Sequence, residues 1–171
     1  GSTTSFLSTT KLPVFSVELN EKYFGYSTMR LKNFKNVHLF NDNSINFLKN
    51  IANDNSFKKS NIFFYLDAHG TGANEPLREE VEIIFENFTQ SIVMIDDFEV
   101  PGAKYGFDER LSRRINIELL KEQVLKYNLN VFFPSIDPEN ETGAKRGMVL
   151  LCKEHNIMDK FEKHSLIYKY N

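Results

Sequence analysis

The sequence lacks most of the features that would tie it to an exported or membrane-bound class. Cys152 is the only cysteine, so neither an intrachain disulfide nor a cysteine-based zinc site can form, and a reducing cytoplasmic setting is the default. Because Cys152 ends the apolar run 149–152, we expect a packed core thiol and not a nucleophile. No apolar run has the length of a transmembrane helix and no signal peptide is visible, so no membrane partner is predicted.

An excess of charge of one sign is also absent. The 21 lysine and arginine residues stand against 23 aspartate and glutamate residues, which gives a formal net charge of -2. A nonspecific nucleic-acid binder would be expected to carry a basic face, so no nucleic-acid partner is predicted. With 41% hydrophobic and 26% charged residues, the composition is ordinary for a globular protein. We expect one domain over residues 1–171, in which residues 154–171 form a C-terminal extension.

The sequence does contain two apolar runs that each end in acid. Residues 62–66 precede Asp67, and residues 92–95 precede Asp96 and Asp97. The segment between the runs spaces its apolar residues three and four apart, which predicts a helix. Neither run alternates polar with apolar residues, so both are predicted to be parallel strands buried on two faces. The three acids are then expected at the carboxyl rim of the sheet, where open α/β sheets bind ligands.

Two earlier segments follow the same plan. Residues 14–18 and 36–40 are predicted strands; the first ends in Glu18 and the second is followed by Asp42. Each strand is followed by a helical pattern with a candidate N-cap residue, which is a polar residue able to accept a backbone hydrogen bond. These candidates are Asn20 for the first helix and Asn43 or Ser44 for the second.

The later segments are less regular. Residues 99–108 form a loop rich in glycine and aromatic residues, which is either a lid or substrate wall or a solvent loop whose aromatic residues pack down. Helical spacing runs from residue 114 to residue 127. Residues 129–133 and 147–152 are predicted as an antiparallel hairpin, because no helical pattern joins them. Four charged residues of the central helix are assigned to its solvated face: Arg78, Glu79, Glu80 and Glu82.

The repeated acid at four successive strand ends is more informative than any one of them. Helix capping accounts for Asp42 and Asp97 taken singly. Several carboxylates on one rim repel one another, however, unless a cation or hydroxyl donors hold them. Glu18 suits the paired hydroxyls of a ribose. The aspartates after the two central strands are hard oxygen donors suited to Mg²⁺, Ca²⁺ or Mn²⁺.

These strand ends resemble those of class I S-adenosylmethionine-dependent methyltransferases. Residues 1–7 are similar to the end of the family's glycine-rich first loop, which makes residues 1–10 the remnant of that loop and of the first helix. Residues 14–21 are similar to the family's second strand with the ribose-binding acid. Residues 36–44 resemble the third strand and the turn that contacts adenine. The resemblance implies S-adenosylmethionine as the cofactor. The implied cofactor-binding residues are Gly1, Ser2, Thr3, Glu18, Asp42 and Ser44.

The central strands resemble the cation-dependent O-methyltransferases within this family. Residues 65–69 and 94–97 are similar to the metal-bearing ends of the family's fourth and fifth strands, and residues 141–147 fit the turn before its last strand. The family's first strand precedes the position of Gly1, so the resemblance implies an N-terminally incomplete chain. The implied fold is a doubly wound, mostly parallel, Rossmann-like sheet with an antiparallel C-terminal hairpin.

The resemblance implies metal-assisted methyl transfer to a hydroxyl of a small molecule. A divalent cation, most simply Mg²⁺, would be held by Asp67, Asp96 and Asp97, would lower the pKa of the hydroxyl and would align its oxygen with the methyl group. His69 is the available general base, or else a loop histidine satisfied by the backbone. The apolar tail suits a neighbouring subunit as well as its own sheet, which leaves a homo-oligomer open.

Two other functions remain open. The first is a noncatalytic methyltransferase-like module that serves a partner or an assembly. The second is a metal-dependent sugar-nucleotide transferase that uses Asp96 and Asp97 as its metal motif, with Glu18 on the ribose. A receiver domain is disfavoured, because no lysine closes a late strand in the expected place.

Overall fold

The computed structural model describes residues 1–67, 76–110, 113–153 and 158–170. The chain forms two compact units, Gly1–Ile51 and Ala52–Asn171. The assignment to one domain stays a prediction. Among the helices that the structure describes, none has both the length and the apolar character needed to cross a membrane.

The first unit is built on a two-stranded parallel sheet. Strand β1 pairs with β2 so that Val14 lies opposite Val37 and Val17 opposite Phe40. The predicted strands are therefore confirmed, and both run in the same direction. The elements of this unit, in chain order, are α1 (Ser2–Ser8), β1 (Val14–Val17), α2 (Glu21–Leu31), β2 (Val37–Phe40) and α3 (Ser44–Ala52).

Polar side chains start the helices of the first unit as expected. The Asn20 side chain accepts hydrogen bonds from the backbone N–H groups of Lys22 and Tyr23, at 3.0 and 3.3 Å, and caps α2. The Asn43 Oδ1 atom accepts the N–H of Asn46 at 2.8 Å. Asn43 and not Ser44 therefore caps α3, because Ser44 is already the first helical residue.

The second unit is built on a five-stranded sheet in the order β3-β4-β8-β7-β9. Strands β3 and β4 are parallel, and the other neighbouring pairs are antiparallel. The strands are β3 (Ile62–Leu66), β4 (Ser91–Asp96), β7 (Asn130–Pro134), β8 (Met148–Cys152) and β9 (Ile167–Tyr170), with a separate ribbon of β5 (Glu109–Arg110) and β6 (Arg113–Arg114). The helices are α4 (Asn55–Lys58), α5 (Leu77–Asn87), α6 (Lys121–Tyr127) and α7 (Met158–Glu162).

This architecture confirms the α/β class and the antiparallel hairpin of β7 and β8. The five-stranded sheet is mixed, since β3, β4 and β7 run in one direction and β8 and β9 in the other. Strand β9 was not predicted; it pairs with β7 at the edge of the sheet. The doubly wound order remains a prediction.

The expectation that both central strands are buried on two faces is wrong. Positions along β4 alternate between buried and half-buried, and Phe63 in β3 is 46% exposed. One face is packed by α5 and by Phe88 directly after it, whose ring centroid lies 5.2 Å from that of Phe64 in β3. The opposite face is covered in part by Phe161 of α7, which packs near the buried Phe132.

Two helix predictions also need correction. Glu80 is not on the solvated face of α5 but fully buried, because Leu77, Glu80 and Ile84 recur at helical spacing on the inward side. The helix predicted from residue 114 is shorter than expected. It begins at Lys121, and Arg114 belongs to β6.

Candidate functional site

The carboxyl ends of β3 and β4 bring two predicted acids to one rim. Because the strands are parallel with Leu66 opposite Ile95, Asp67 and Asp96 follow at neighbouring positions. Tyr65 precedes Asp67 by two residues and therefore shares its face of the sheet. The Tyr65 hydroxyl donates to Oδ2 of Asp96. The strand geometry at this rim agrees with the sequence analysis, whereas the role of the acids remains a prediction.

Asp96 is held by donors from the chain itself. Its Oδ2 atom accepts the Tyr65 hydroxyl, and its Oδ1 atom accepts the backbone N–H of Asp97 at 2.9 Å. Sequence reasoning missed Tyr65. The available signal was its position two residues before Asp67, since alternate residues of a strand point to the same face.

Asp97 turns the chain sharply and is paired with a cation of the chain itself. Its φ of 54° lies in the left-handed region, which aspartate tolerates better than most residues. The Arg146 Nε atom donates to Oδ1 of Asp97, and the Arg146 Nη2 atom donates to Oδ1 of Asp108. The hydrogen bond to Asp97 is the main reason that the pKa of Arg146 is raised. Sequence patterns gave no sign of this bridge, which joins residues 49 positions apart.

The loop after β4 is fastened by its backbone. The Gly106 N–H donates to the Lys145 carbonyl at 2.9 Å, and the Gly147 N–H donates to the Gly106 carbonyl at 2.8 Å. The Asp108 N–H donates to the Asp97 carbonyl at 2.9 Å. These bonds favour the prediction of a loop that packs down over that of a lid.

Tyr105 is the buried anchor of this loop. Its hydroxyl lies 2.8 Å from the carbonyl oxygen of Ile136 and 3.0 Å from Oε1 of Glu141, and can donate to either. Burial, followed by the hydrogen bond to the Glu141 carboxylate, raises the pKa of Tyr105 to about 12. A phenol with this pKa stays protonated near neutral pH and acts as a structural donor.

The acids of the rim do not form a metal centre as they stand. In the ranges that the structure describes, no group of three or more histidine, cysteine, aspartate or glutamate side chains is placed to hold a metal ion. Asp97, the third predicted ligand, directs its Oδ1 atom at the Arg146 guanidinium. His69, the predicted general base, lies outside the described residues.

The predicted ribose and adenine residues lie at the carboxyl end of β1 and β2. The Glu18 Oε1 atom accepts the N–H of Asn20 at 2.9 Å, which leaves a half-buried carboxylate directly after β1. The Asp42 Oδ1 atom accepts the N–H of Asn43 at 2.8 Å, and Ser44 begins α3 beside it. A carboxylate in the position of Glu18 fits the donor hydroxyls of a ribose.

The three remaining cofactor predictions fall at the start of α1. Gly1 precedes the helix, and Ser2 and Thr3 are its first residues. A Cβ atom on Gly1 would lie 3.2 Å from Oγ of Ser27, and Arg30 Nη1 donates to Oγ of Ser2 at 3.4 Å. These contacts are made to α2, so the structure gives the segment a packing role. Its contact with a cofactor stays a prediction.

Comparison with known proteins does not define a family for this chain. No family model and no curated protein matches it. Among solved structures, it is similar to the crystal structure of an rRNA methylase from Streptococcus thermophilus, with 16% identity and a TM-score of 0.40 over 84% of this chain and 76% of the other. What the structure itself defines is an α/β protein with acids grouped at the carboxyl ends of parallel strands.

Proposed function

We propose that the protein transfers a methyl group from S-adenosylmethionine to a hydroxyl of a small molecule. One observation carries the proposal: each of the two parallel strand pairs, β1–β2 and β3–β4, has acids at its own carboxyl end. That edge of a parallel sheet is where α/β proteins bind ligands. The order of the strand-end motifs along the chain supports the choice of this cofactor over other nucleotides.

The nucleoside part of the proposal belongs to the first unit. Glu18 would bind the ribose hydroxyls, because its half-buried carboxylate follows β1 directly. Asp42 and Ser44 follow the neighbouring strand and would contact the adenine. S-adenosylmethionine supplies an electrophilic methyl group, and the residues of the chain bind and orient it.

The acceptor part belongs to the second unit. Asp67 or Asp96 would accept a hydrogen bond from the acceptor's hydroxyl and fix the direction of its oxygen. The same carboxylate would take the hydroxyl proton as the methyl group moves to the oxygen and S-adenosylhomocysteine leaves. The Tyr65 hydroxyl holds Asp96 in place for this task. No step is assigned to a divalent cation, because the described acids do not form a metal centre as they stand.

Calorimetry with S-adenosylmethionine tests the nucleoside part. We expect saturable binding that weakens by about tenfold or more in Glu18→Gln, because the ribose loses a charged hydrogen-bond acceptor. Glu21→Gln is the matched control, since Glu21 is also an acid of this unit but lies in the first turn of α2. Absence of binding to the unmodified protein would refute the proposed function.

The same titration with and without Mg²⁺ decides whether a cation takes part. If the predicted site forms, Mg²⁺ will tighten binding or raise turnover, and Asp96→Asn will abolish that effect. If turnover changes neither with Mg²⁺ nor with chelators, the proposed methyl transfer stands and a role for the cation is excluded. Glu122→Gln serves as the control, because it alters an exposed carboxylate of α6 that was not predicted to bind metal.

The noncatalytic module is the second candidate, and one observation favours it. Arg146 forms an ion pair with Asp97 and so neutralises an acid that the predicted metal site would use. Protein that binds S-adenosylmethionine but shows no turnover with any hydroxylated acceptor would favour this alternative.

A further inference from the structure

A second concave site lies within the second unit beside the candidate rim, since Met148 of its wall pairs with Asp96 across the sheet. It is a cavity of about 420 Å³, a volume in the range of small-molecule sites. Its lining is mainly apolar and includes the side chains of Ile136, Met148, Leu150, Phe161 and Ile167. A cavity of this kind favours a ligand with an apolar body.

The apolar walls come from elements that hold one another in place. Met148 and Leu150 are alternate residues of β8 and so line the same face of the sheet. Phe161 of α7 packs edge-on against the buried Phe132, with ring centroids 5.5 Å apart. The start of β9 contributes Ile167, which pairs with Pro134 of β7.

The polar lining gives the cavity a negative character. Glu141 is part of the wall, and its Oε1 atom lies 3.0 Å from the Tyr105 hydroxyl. The carboxylates of Glu141 and Asp137 both act on Tyr105, where they add to the effect of burial in raising its pKa. Glu141 is therefore the carboxylate that the wall itself presents.

His164 is the other polar residue of the wall. Its Nδ1 atom accepts the backbone N–H of Leu166 at 3.3 Å.

We propose that this cavity binds a small apolar amine, whose ammonium group pairs with Glu141 and whose hydrocarbon body lies against Met148, Leu150 and Phe161. An ammonium group supplies the positive charge that the acidic part of the wall lacks, and its hydrogen bonds to a carboxylate are charge-assisted. The proposal goes beyond the methyl transfer proposed above and does not depend on it. Cofactor binding is measured separately, so either proposal can fail alone.

NMR of protein labelled at the methionine methyl groups tests the proposal with three probes of similar size: benzylamine, benzyl alcohol and benzoate. We expect benzylamine to shift the Met148 methyl signal saturably, benzyl alcohol to do so more weakly and benzoate to have no effect. Met29 is the internal control, because it is 76% exposed and belongs to the first unit. Equal binding of benzoate and benzylamine would overturn the proposal.

Two variants locate the site. Leu150→Trp fills the cavity and should abolish the benzylamine shift, whereas Leu125→Trp, at a position 73% exposed in α6, should preserve it. Glu141→Gln should weaken benzylamine about tenfold through loss of the charge, while its amide oxygen still accepts the Tyr105 hydroxyl. A benzylamine shift that survives Leu150→Trp would place the ligand elsewhere. If Glu141→Gln binds benzylamine as tightly as the unmodified protein, Glu141 is not the partner of the ammonium group and the proposal is wrong. This test does not require Leu150→Trp to fold.

Discussion

Gly147 marks the closest approach of two chain segments at the candidate rim. A Cβ atom at this position would lie 2.2 Å from the carbonyl oxygen of Phe98 and 2.8 Å from Cγ2 of Val100. The Phe98 N–H also donates to the Gly147 carbonyl at 2.9 Å, so the two backbones cannot separate without loss of this bond. Only glycine fits here, and the adjacent residue, Arg146, donates to Asp97.

We predict that Gly147→Ala lowers the free energy of unfolding by about 1–3 kcal/mol, the usual cost of an overpacked site. Urea denaturation followed by circular dichroism measures the change. Gly143→Ala is the matched control, because a Cβ atom there has no neighbour within 4 Å. Equal unfolding midpoints for the two variants would contradict the close approach.

Single residues differ in how far the sequence predicts them. Asn20 and Cys152 were predicted correctly, since a cap and a buried thiol depend on neighbours in the chain. The prediction for Glu80 was wrong, because its spacing from Leu77 and Ile84 places it on the buried side of the helix despite its charge. The bridge from Arg146 could not be predicted, because it depends on the pairing of distant strands.

At the scale of elements, α2 shows how a single side chain determines where a helix begins. Asn20 satisfies two N–H groups of the first turn, and Glu21 places a negative charge at the positive end of the helix dipole. The chain turns into this helix directly after Glu18, the predicted ribose ligand. The cap therefore also fixes the backbone that presents Glu18.

We predict that Asn20→Ala costs about 1 kcal/mol of unfolding free energy, because two backbone donors lose their acceptor. Asn20→Ser should recover most of this loss, since serine also caps helices well. Asn33→Ala, at an exposed position after the end of α2, is the control for the loss of an asparagine side chain. Urea denaturation of the three variants provides the comparison. Equal losses in Asn20→Ala and Asn33→Ala would argue against the cap.

Other elements show why local patterns fall short. Strand β9 escaped prediction because three of its four residues are exposed and no apolar alternation marks it. Its backbone pairing with β7 creates the strand, and that pairing is a long-range contact. Arg114, from which the apolar spacing had predicted a helix, likewise belongs to strand β6, which pairs with β5.

At the scale of the whole molecule, the runs that end in acid predicted the α/β class and the parallel pairs, because apolar strands and strand-end acids are local features. The mixed strand direction of the larger sheet could be predicted only in part, from the expected antiparallel hairpin of β7 and β8. The strand order β3-β4-β8-β7-β9 depends on which distant strands pair. For the same reason, the half-exposed face of β4 could not be inferred from its uniformly apolar sequence.

The buried ionisable groups of the second unit also determine how the molecule responds to alkali. Burial raises the pKa of Tyr105 from 10.0 to about 12 and that of the Cys152 thiol from 9.0 to about 11. A group whose pKa is higher in the folded state stabilises the fold fully below its unfolded pKa. That contribution disappears as the pH rises through the folded value. Stability should therefore fall progressively between about pH 9 and about pH 12.

We predict that Tyr105→Phe makes this decline shallower above about pH 10, because the variant has no phenol to ionise at that position. Near neutral pH the same variant should be less stable by about 1–2 kcal/mol, since the carbonyl of Ile136 and the carboxylate of Glu141 lose their donor. Urea midpoints measured from about pH 7 to about pH 11.5 give both quantities. Tyr23→Phe is the control, because Tyr23 is 60% exposed in α2 and its loss should leave the wild-type curve unchanged. If the Tyr105→Phe curve stayed parallel to that of the wild type, the buried phenol would not be the group that alkali ionises.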